Sequence, residues 1–298
     1  MKNKYPRTDL ACEVNNDLSN IEGTKYSVED KEICVIERLD ILTDEASKRL
    51  DKNKGRYVTV STPRIQYLGD EEVEKISENI EKELIYILLS AVNKNKIDKS
   101  LSILVVGLGN RDITADAIGP ATADKICVTR HLTDKSPSLF HMLGRCSVSA
   151  ISPGVLGKTG IESAETVKSA IANICPDAVI VIDALAARSA ERLARTFQIS
   201  DTGITPGAGI GNRRSELSRR TLGIPVISLG IPTVVDTATL VFDALTDAGI
   251  TELSEKITED LRSAESLFVT PKETDVIIEK ASNILSAAID RATVISND

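Results

Sequence analysis

The sequence predicts an α/β fold: a mostly parallel, twisted sheet with flanking helices, phosphorylase/hydrolase-like, plus a β-rich N-terminal segment. Three observations carry that reading. SILVVG (102–107), CSVSAI (146–151), AVIVID (178–183) and IPVISLGI (224–231) are short, almost wholly apolar runs, as strands covered on both faces must be. Helical or glycine-rich stretches separate them. From Asp70 onward, Val73, Ile76, Ile80, Leu84, Ile87 and Leu88 recur at helical spacing on one face, so a long amphipathic helix introduces the main body.

Taken in order, the first 30 or so residues are polar and read as a loose leader. KEICVIERLDIL (31–42) and GRYVTVSTPRIQYL (55–68) are rich in Ile, Val, Tyr and Thr and read as strands, which makes about 30–68 the β-rich portion. After the four apolar runs, TELSEKITEDLRSAE (251–265) and PKETDVIIEKASNILSAAIDRA (271–292) read as two helices, the second opening with Pro271 near its first turn. No internal repeat or low-complexity linker divides the chain, and a single α/β domain is expected.

Composition narrows the function classes. The 298 residues suffice for a large core. A net charge of −8 provides no basic footprint for nucleic acid or an anionic membrane. Aromatics make up 3% and Trp is absent, so stacking platforms for single strands are few. Five scattered cysteines without a CxxC pair suggest neither a disulfide framework nor a zinc knuckle, and fit reduced thiols in a cytoplasm. The stretch MKNKYPRTDLACE lacks an apolar signal core, and no run reaches the 18 or so apolar residues of a membrane span.

Two aspartates stand out, each just after an apolar strand: Asp116 in LSILVVGLGNRDITADAIGP and Asp183 in DAVIVIDALAARS. In one parallel sheet both would reach the C-terminal edge, where ligands bind in open α/β folds. Either alone reads first as a helix cap or dipole partner. Together they can do chemistry, because two close carboxylates cannot both ionise freely: the one that stays protonated can polarise a carbonyl while the other activates water. The glycine loops are less specific. GLGNRD has Asp112 where a dinucleotide loop needs its third glycine, and TPGAGIGNRRSEL has Asn212 and Arg213 where a P-loop needs Gly and Lys. The amides of Gly107, Gly109 and Asn110, and of Gly207, Gly209 and Gly211, are candidates for holding a substrate backbone or an oxyanion; tight turns are the plain alternative. His131 and His141, the only histidines, lie in a polar stretch without HExxH and read as surface or structural. Ser189 and Ser200 have no evident His partner, and apolar neighbours mark Cys127 and Cys146 as buried thiols. No metal and no cofactor are expected.

GLGNRDITADAIGP, SPGVLGKTGIESAETV, VIVIDALAARS, QISDTGITPGAGIGNRRSELS and TLGIPVISLGIPTVVD together resemble the germination protease family of spore-forming bacteria. The likeness runs in order from RTDLACE to at least Asp236. It implies an atypical aspartic endopeptidase, related in fold to hydrogenase maturation endopeptidases, that degrades small acid-soluble spore proteins in the cytoplasm of the spore core. The family's two motif aspartates fall on Asp116 and Asp183. The resemblance further implies a homotetramer and a zymogen that removes its own propeptide. Substrates of the family are cut between an acidic residue and an apolar one followed by Ala, and Thr8 to Glu13 (TDLACE) looks like such a site. Cleavage between Asp9 and Leu10 is therefore expected, with 1–9 as propeptide and 10–298 as peptidase domain. Ala115 stands where the family motif has Pro, and Arg111 where it has an aromatic; Asp112, Asp201 and Asp236 are further acids within the motifs. Two other readings compete: a metal-dependent maturation endopeptidase acting on a partner protein, and a non-enzymatic α/β binding module.

Overall fold

The four apolar runs do form adjacent strands. In the computed structural model, which describes residues 8–14, 18–208, 214–250 and 267–295, β4 (Ser102–Gly107), β5 (Ser147–Ile151), β6 (Ala178–Ala187) and β8 (Val226–Asp236) lie parallel in the order β5-β4-β6-β8. Their alternate residues face two layers, as a period of two requires. Ile103, Val105, Ile180, Ile182, Ile227 and Leu229 pack against the helices Asp70–Val92 and Thr274–Ala292. Leu104, Val106, Val179, Val181 and Val226 pack with Ala164 and Val167 of the helix Ser163–Ile174. Each fully buried Leu, Ile or Val contributes roughly 1.5–3 kcal/mol, and coverage on both faces explains why these runs contain almost no polar residue.

The rest of the sheet departs from the sequence reading. The β-rich N-terminal portion joins the same sheet: β1 (Thr24–Asp30), β2 (Val35–Ile41) and β3 (Gly55–Ser61) form an antiparallel meander. β3 pairs with β7 (Thr196–Ser200), and β7 with β8. A short β9 (Phe268–Val269) also pairs antiparallel with β8. Among the described residues the sheet has nine strands and is mixed, with its parallel half confined to the four apolar runs. The cause lies in the connections and the faces: β1 and β2 are half-exposed strands joined by a short turn, which favours antiparallel pairing.

The leader is not loose where it is described. Ala11, Leu18 and Ile21 are buried with Leu39, Ile41 and Tyr57, and Leu10 is fully buried. The last helix begins at Thr274 with Glu273 as N-cap, which leaves Pro271 in the preceding turn instead of the first helical turn. The helix expected over 251–265 lies outside the described residues.

Candidate active site

Asp116 owes its position to the turn that leaves β4. Gly109 adopts φ +111°, and a Cβ there would fall 2.0 Å from the Asp116 carbonyl oxygen and 3.0 Å from its Oδ1. Only glycine allows that approach. The Asn110 amide donates to Asp116 Oδ2 at 2.7 Å, so this amide is turned to the carboxylate instead of to an oxyanion. Gly107 also serves packing: a Cβ there would meet the Gly119 carbonyl at 2.2 Å. Arg111 and Asp112 point outward and pair with Asp124 and Lys158.

Asp183 lies within β6 and not after it. The small residues Ala184, Ala186 and Ala187 let β6 continue its ladder with β8 as far as Ala187 and Val235, through a bulge between Leu185 and Ala186. Asp183 is 5% exposed, and its Oδ1 accepts from the Ala184 amide at 3.0 Å. Burial pushes the Asp183 pKa well above the usual carboxylate value, and the negative charges of Asp116 and then Asp9 push it further. Asp116 is half-buried; burial raises its pKa, opposed by the Asn110 N–H. The structure thus brings together the two aspartates chosen from the sequence, with the more deeply buried one favouring its protonated form.

The third acid, Asp9, brings its own segment into the site. Two adjoining clefts of about 280 and 460 Å³ share Asp9, Asp183, Ala184, Leu185 and Gly207; Asp116 lines the larger, Lys52 and Gln198 the smaller. Asp9 donates its N–H to the Ala186 carbonyl at 2.9 Å, and its Oδ2 accepts from the Ala186 N–H at 2.8 Å. Leu10 packs with Leu185, Ala187 and Val235. The Glu13 carboxylate accepts from the amides of Arg188 and Ser189 at 2.8 and 2.9 Å and from the Thr8 hydroxyl. The Asp9 carbonyl accepts from Lys52 Nζ at 2.9 Å and Gln198 Nε2 at 3.1 Å. Neither Lys52 nor Gln198 is a candidate in the sequence: Lys52 lies in no motif, and Gln198 opens the segment QISDTGITPGAGIGNRRSELS as a neutral amide with nothing to mark it chemically.

The remaining candidates fall elsewhere or serve the fold. Gly207, at φ +71°, lines both clefts, whereas Gly209 and Gly211 lie outside the described residues. Asp201 accepts from the Arg56 amide, and Asp236 caps the helix Thr237–Asp247 through the Thr239 amide. His131 and His141 are exposed, and His141 contacts Lys99. Ser189 caps a short 3-10 turn. Cys146 is buried, but Cys127 is exposed, because its segment lies at the surface with its amide bonded to Asp290. Among the described residues no group of three or more His, Cys, Asp or Glu is placed to hold a metal ion, and no helix is long and apolar enough to cross a membrane.

Comparison with known proteins gives the family. Residues 7–262 match the family model described as germination protease. The germination protease of Clostridium acetobutylicum is 39% identical over 317 residues, covering 96% of this chain and 94% of that protein. That of Caldanaerobacter subterraneus subsp. tengcongensis is 40% identical over 314 residues, covering 96% and 93%, and that of Priestia megaterium 36% over 349, covering 96% and 93%. Among solved structures, a NiFe hydrogenase maturation protease from Thermococcus kodakarensis KOD1 aligns with 69% of this chain and 98% of its own, at 18% identity and a TM-score of 0.38. Likeness of this extent, over nearly the whole length of chain and relatives alike, makes this protein a member of the germination protease family, a protease acting in spore germination.

Proposed function

We propose that the chain is a self-processing aspartic endopeptidase whose substrates are small acid-soluble spore proteins in the spore core. Residues 1–9 are its propeptide, residues 10–298 its single peptidase domain, and the assembly is a homotetramer, as the family resemblance implies. The observation that carries this reading is the seating of Asp9 and Leu10 beside the carboxylates: the segment with the sequence of a cleavage site lies where the acids are.

The chemistry follows from the difference between the two acids. Asp183, whose protonated form is favoured by burial and by its neighbours' charges, is the proton donor to the reacting peptide. Asp116, stabilised as the anion by the Asn110 amide, takes a proton from the attacking water. Substrate preference reads from the same contacts. The Ala186 N–H receives an acidic side chain before the cut, Leu185, Ala187 and Val235 surround the apolar residue after it, and Ala11 is 1% exposed, so the next position has room for little more than a methyl group.

Incubation of the protein with a small acid-soluble spore protein, followed by mass spectrometry, tests the reading. Cleavage after the acidic residue of an acidic–apolar–Ala site is expected, and its loss in folded Asp116→Asn and Asp183→Asn. Cleavage that persists in both variants would contradict the assigned roles.

A further inference from the structure

The Asp9 carbonyl is the one that the proposed cut converts to an oxyanion, and both of its acceptor directions are already taken by side chains. Lys52 Nζ lies at 2.9 Å and Gln198 Nε2 at 3.1 Å. Gln198 also accepts from the Ala11 amide through Oε1 at 2.6 Å. One side-chain amide therefore spans the Asp9–Leu10 bond, gripping the backbone on each side of it.

The fold fixes these two groups. Gln198 on β7 is in register with Gly230 of β8, and Gly230 is in register with Asp183 of β6. Adjacent strands lie about 5 Å apart, so Gln198 and Asp183 stand two strands, roughly 10 Å, apart, with the Leu185 side chain packed against Gly230 between them. Lys52 follows the left-handed residue Asp51, at φ 50°. Its amide donates to the Ser47 carbonyl at 3.2 Å, and its own carbonyl accepts from the Ser47 hydroxyl at 2.7 Å. The ammonium is thus aimed from a doubly tied turn.

We propose that Lys52 and Gln198 are catalytic residues that hold the developing oxyanion of the peptide being cut. The inference rests on the cleavage between Asp9 and Leu10 proposed above. Water adds to the Asp9 carbonyl carbon and gives its proton to Asp116. The carbonyl π pair moves to the oxygen held by Lys52 and Gln198. On collapse the C–N bond breaks, and the Leu10 nitrogen takes the proton of Asp183. Transfer of one proton from Asp116 to Asp183 resets the pair. Donors aimed at the place where charge develops give the largest single catalytic contribution in such reactions.

The test uses the full chain, its processing followed by intact mass and the seating of residues 10–13 by hydrogen exchange. Lys52→Met should slow loss of residues 1–9 on the order of 100-fold while residues 10–13 keep their protection, and Lys52→Arg should recover part of the rate. Gln198→Glu retains the acceptor for Ala11 but not the donor to Asp9, and should slow processing by a similar order. Processing at the wild-type rate in Lys52→Met and Gln198→Glu would overturn the inference and leave the protease reading intact. Slowing that only tracks lost protection of 10–13 would make both residues pins of the segment and overturn it too. If the wild-type chain never cuts between Asp9 and Leu10, the proposed cleavage fails and this inference fails with it.

Discussion

At the scale of single residues, the proposed mechanism rests on two like acids being made unlike. Asp183 sits in the sheet at 5% exposure and has its pKa raised well above the ordinary value. A carboxyl whose folded pKa is raised favours folding fully below its unfolded pKa and loses that contribution as pH rises through the folded pKa. Asp183→Asn should therefore unfold at higher urea concentration than wild type at pH 8, with the difference shrinking toward pH 4, while cleavage is lost at every pH. Equal midpoints at pH 8 would show that the buried carboxyl carries no such penalty. The same logic gives a bell-shaped rate profile: the rate falls on the alkaline side as Asp183 loses its proton and on the acid side as Asp116 gains one. The acid limb should lie above the ordinary Asp range, because burial raises the Asp116 pKa. Both aspartates were legible in the sequence as a pair, since two acids that each follow an apolar strand can meet at one sheet edge, although either alone reads as a helix cap. Lys52 was not: DKNKG reads as a solvated turn, and its contact with Asp9 arises only when strands far apart in sequence pair.

At the scale of elements, two pieces decide the site: the turn after β4 and the segment 8–13. Gly109→Ala would place a methyl group against the Asp116 backbone in a left-handed conformation. The expected cost is about 1–3 kcal/mol, read by urea unfolding, together with a loss of cleavage beyond what stability accounts for. Leu10→Ala removes a fully buried side chain from its cluster with Leu185, Ala187 and Val235. It should lower stability by about 2–5 kcal/mol and slow processing; an unchanged unfolding midpoint would mean that the segment leaves its seat in solution. The elements differed sharply in how readable they were. The Asp70–Val92 helix was plain from its periodicity, and the four apolar strands from their near-continuous apolar runs. β1 was not, because TKYSVED is an outer strand with a mostly exposed pattern, and β7 has only five residues. The extension of β6 past Asp183 was hidden as well, since the small residues ALAA read as the start of a loop although β8 pairs with them.

At the scale of the whole molecule, the N-terminal meander and the parallel half share one sheet and one core. Ile36, Val58 and Val60 belong to the same buried cluster as Ile103, Ile180 and Leu229. Arg38 of β2 reaches Glu83 of the Asp70–Val92 helix, through Nε at 3.0 Å and through a second guanidinium contact. The N-terminal portion should therefore not unfold by itself. Circular dichroism and tyrosine fluorescence should give one coincident transition, and Glu83→Gln should shift it by about 1 kcal/mol without splitting it. Separate transitions would contradict the shared core. The mixed sheet also explains why the site needs both halves of the chain: β6 supplies Asp183, the turn after β4 supplies Asp116, β7 supplies Gln198, and the turn before β3 supplies Lys52. In the proposed reaction these groups cut the peptide lying among them. Intact-mass analysis of the full-length chain tests it most directly: wild type should lose residues 1–9 with first-order kinetics independent of protein concentration, and folded Asp183→Asn should lose nothing. A wild-type chain that keeps its full mass, or an Asp183→Asn chain that is still processed, would contradict the account.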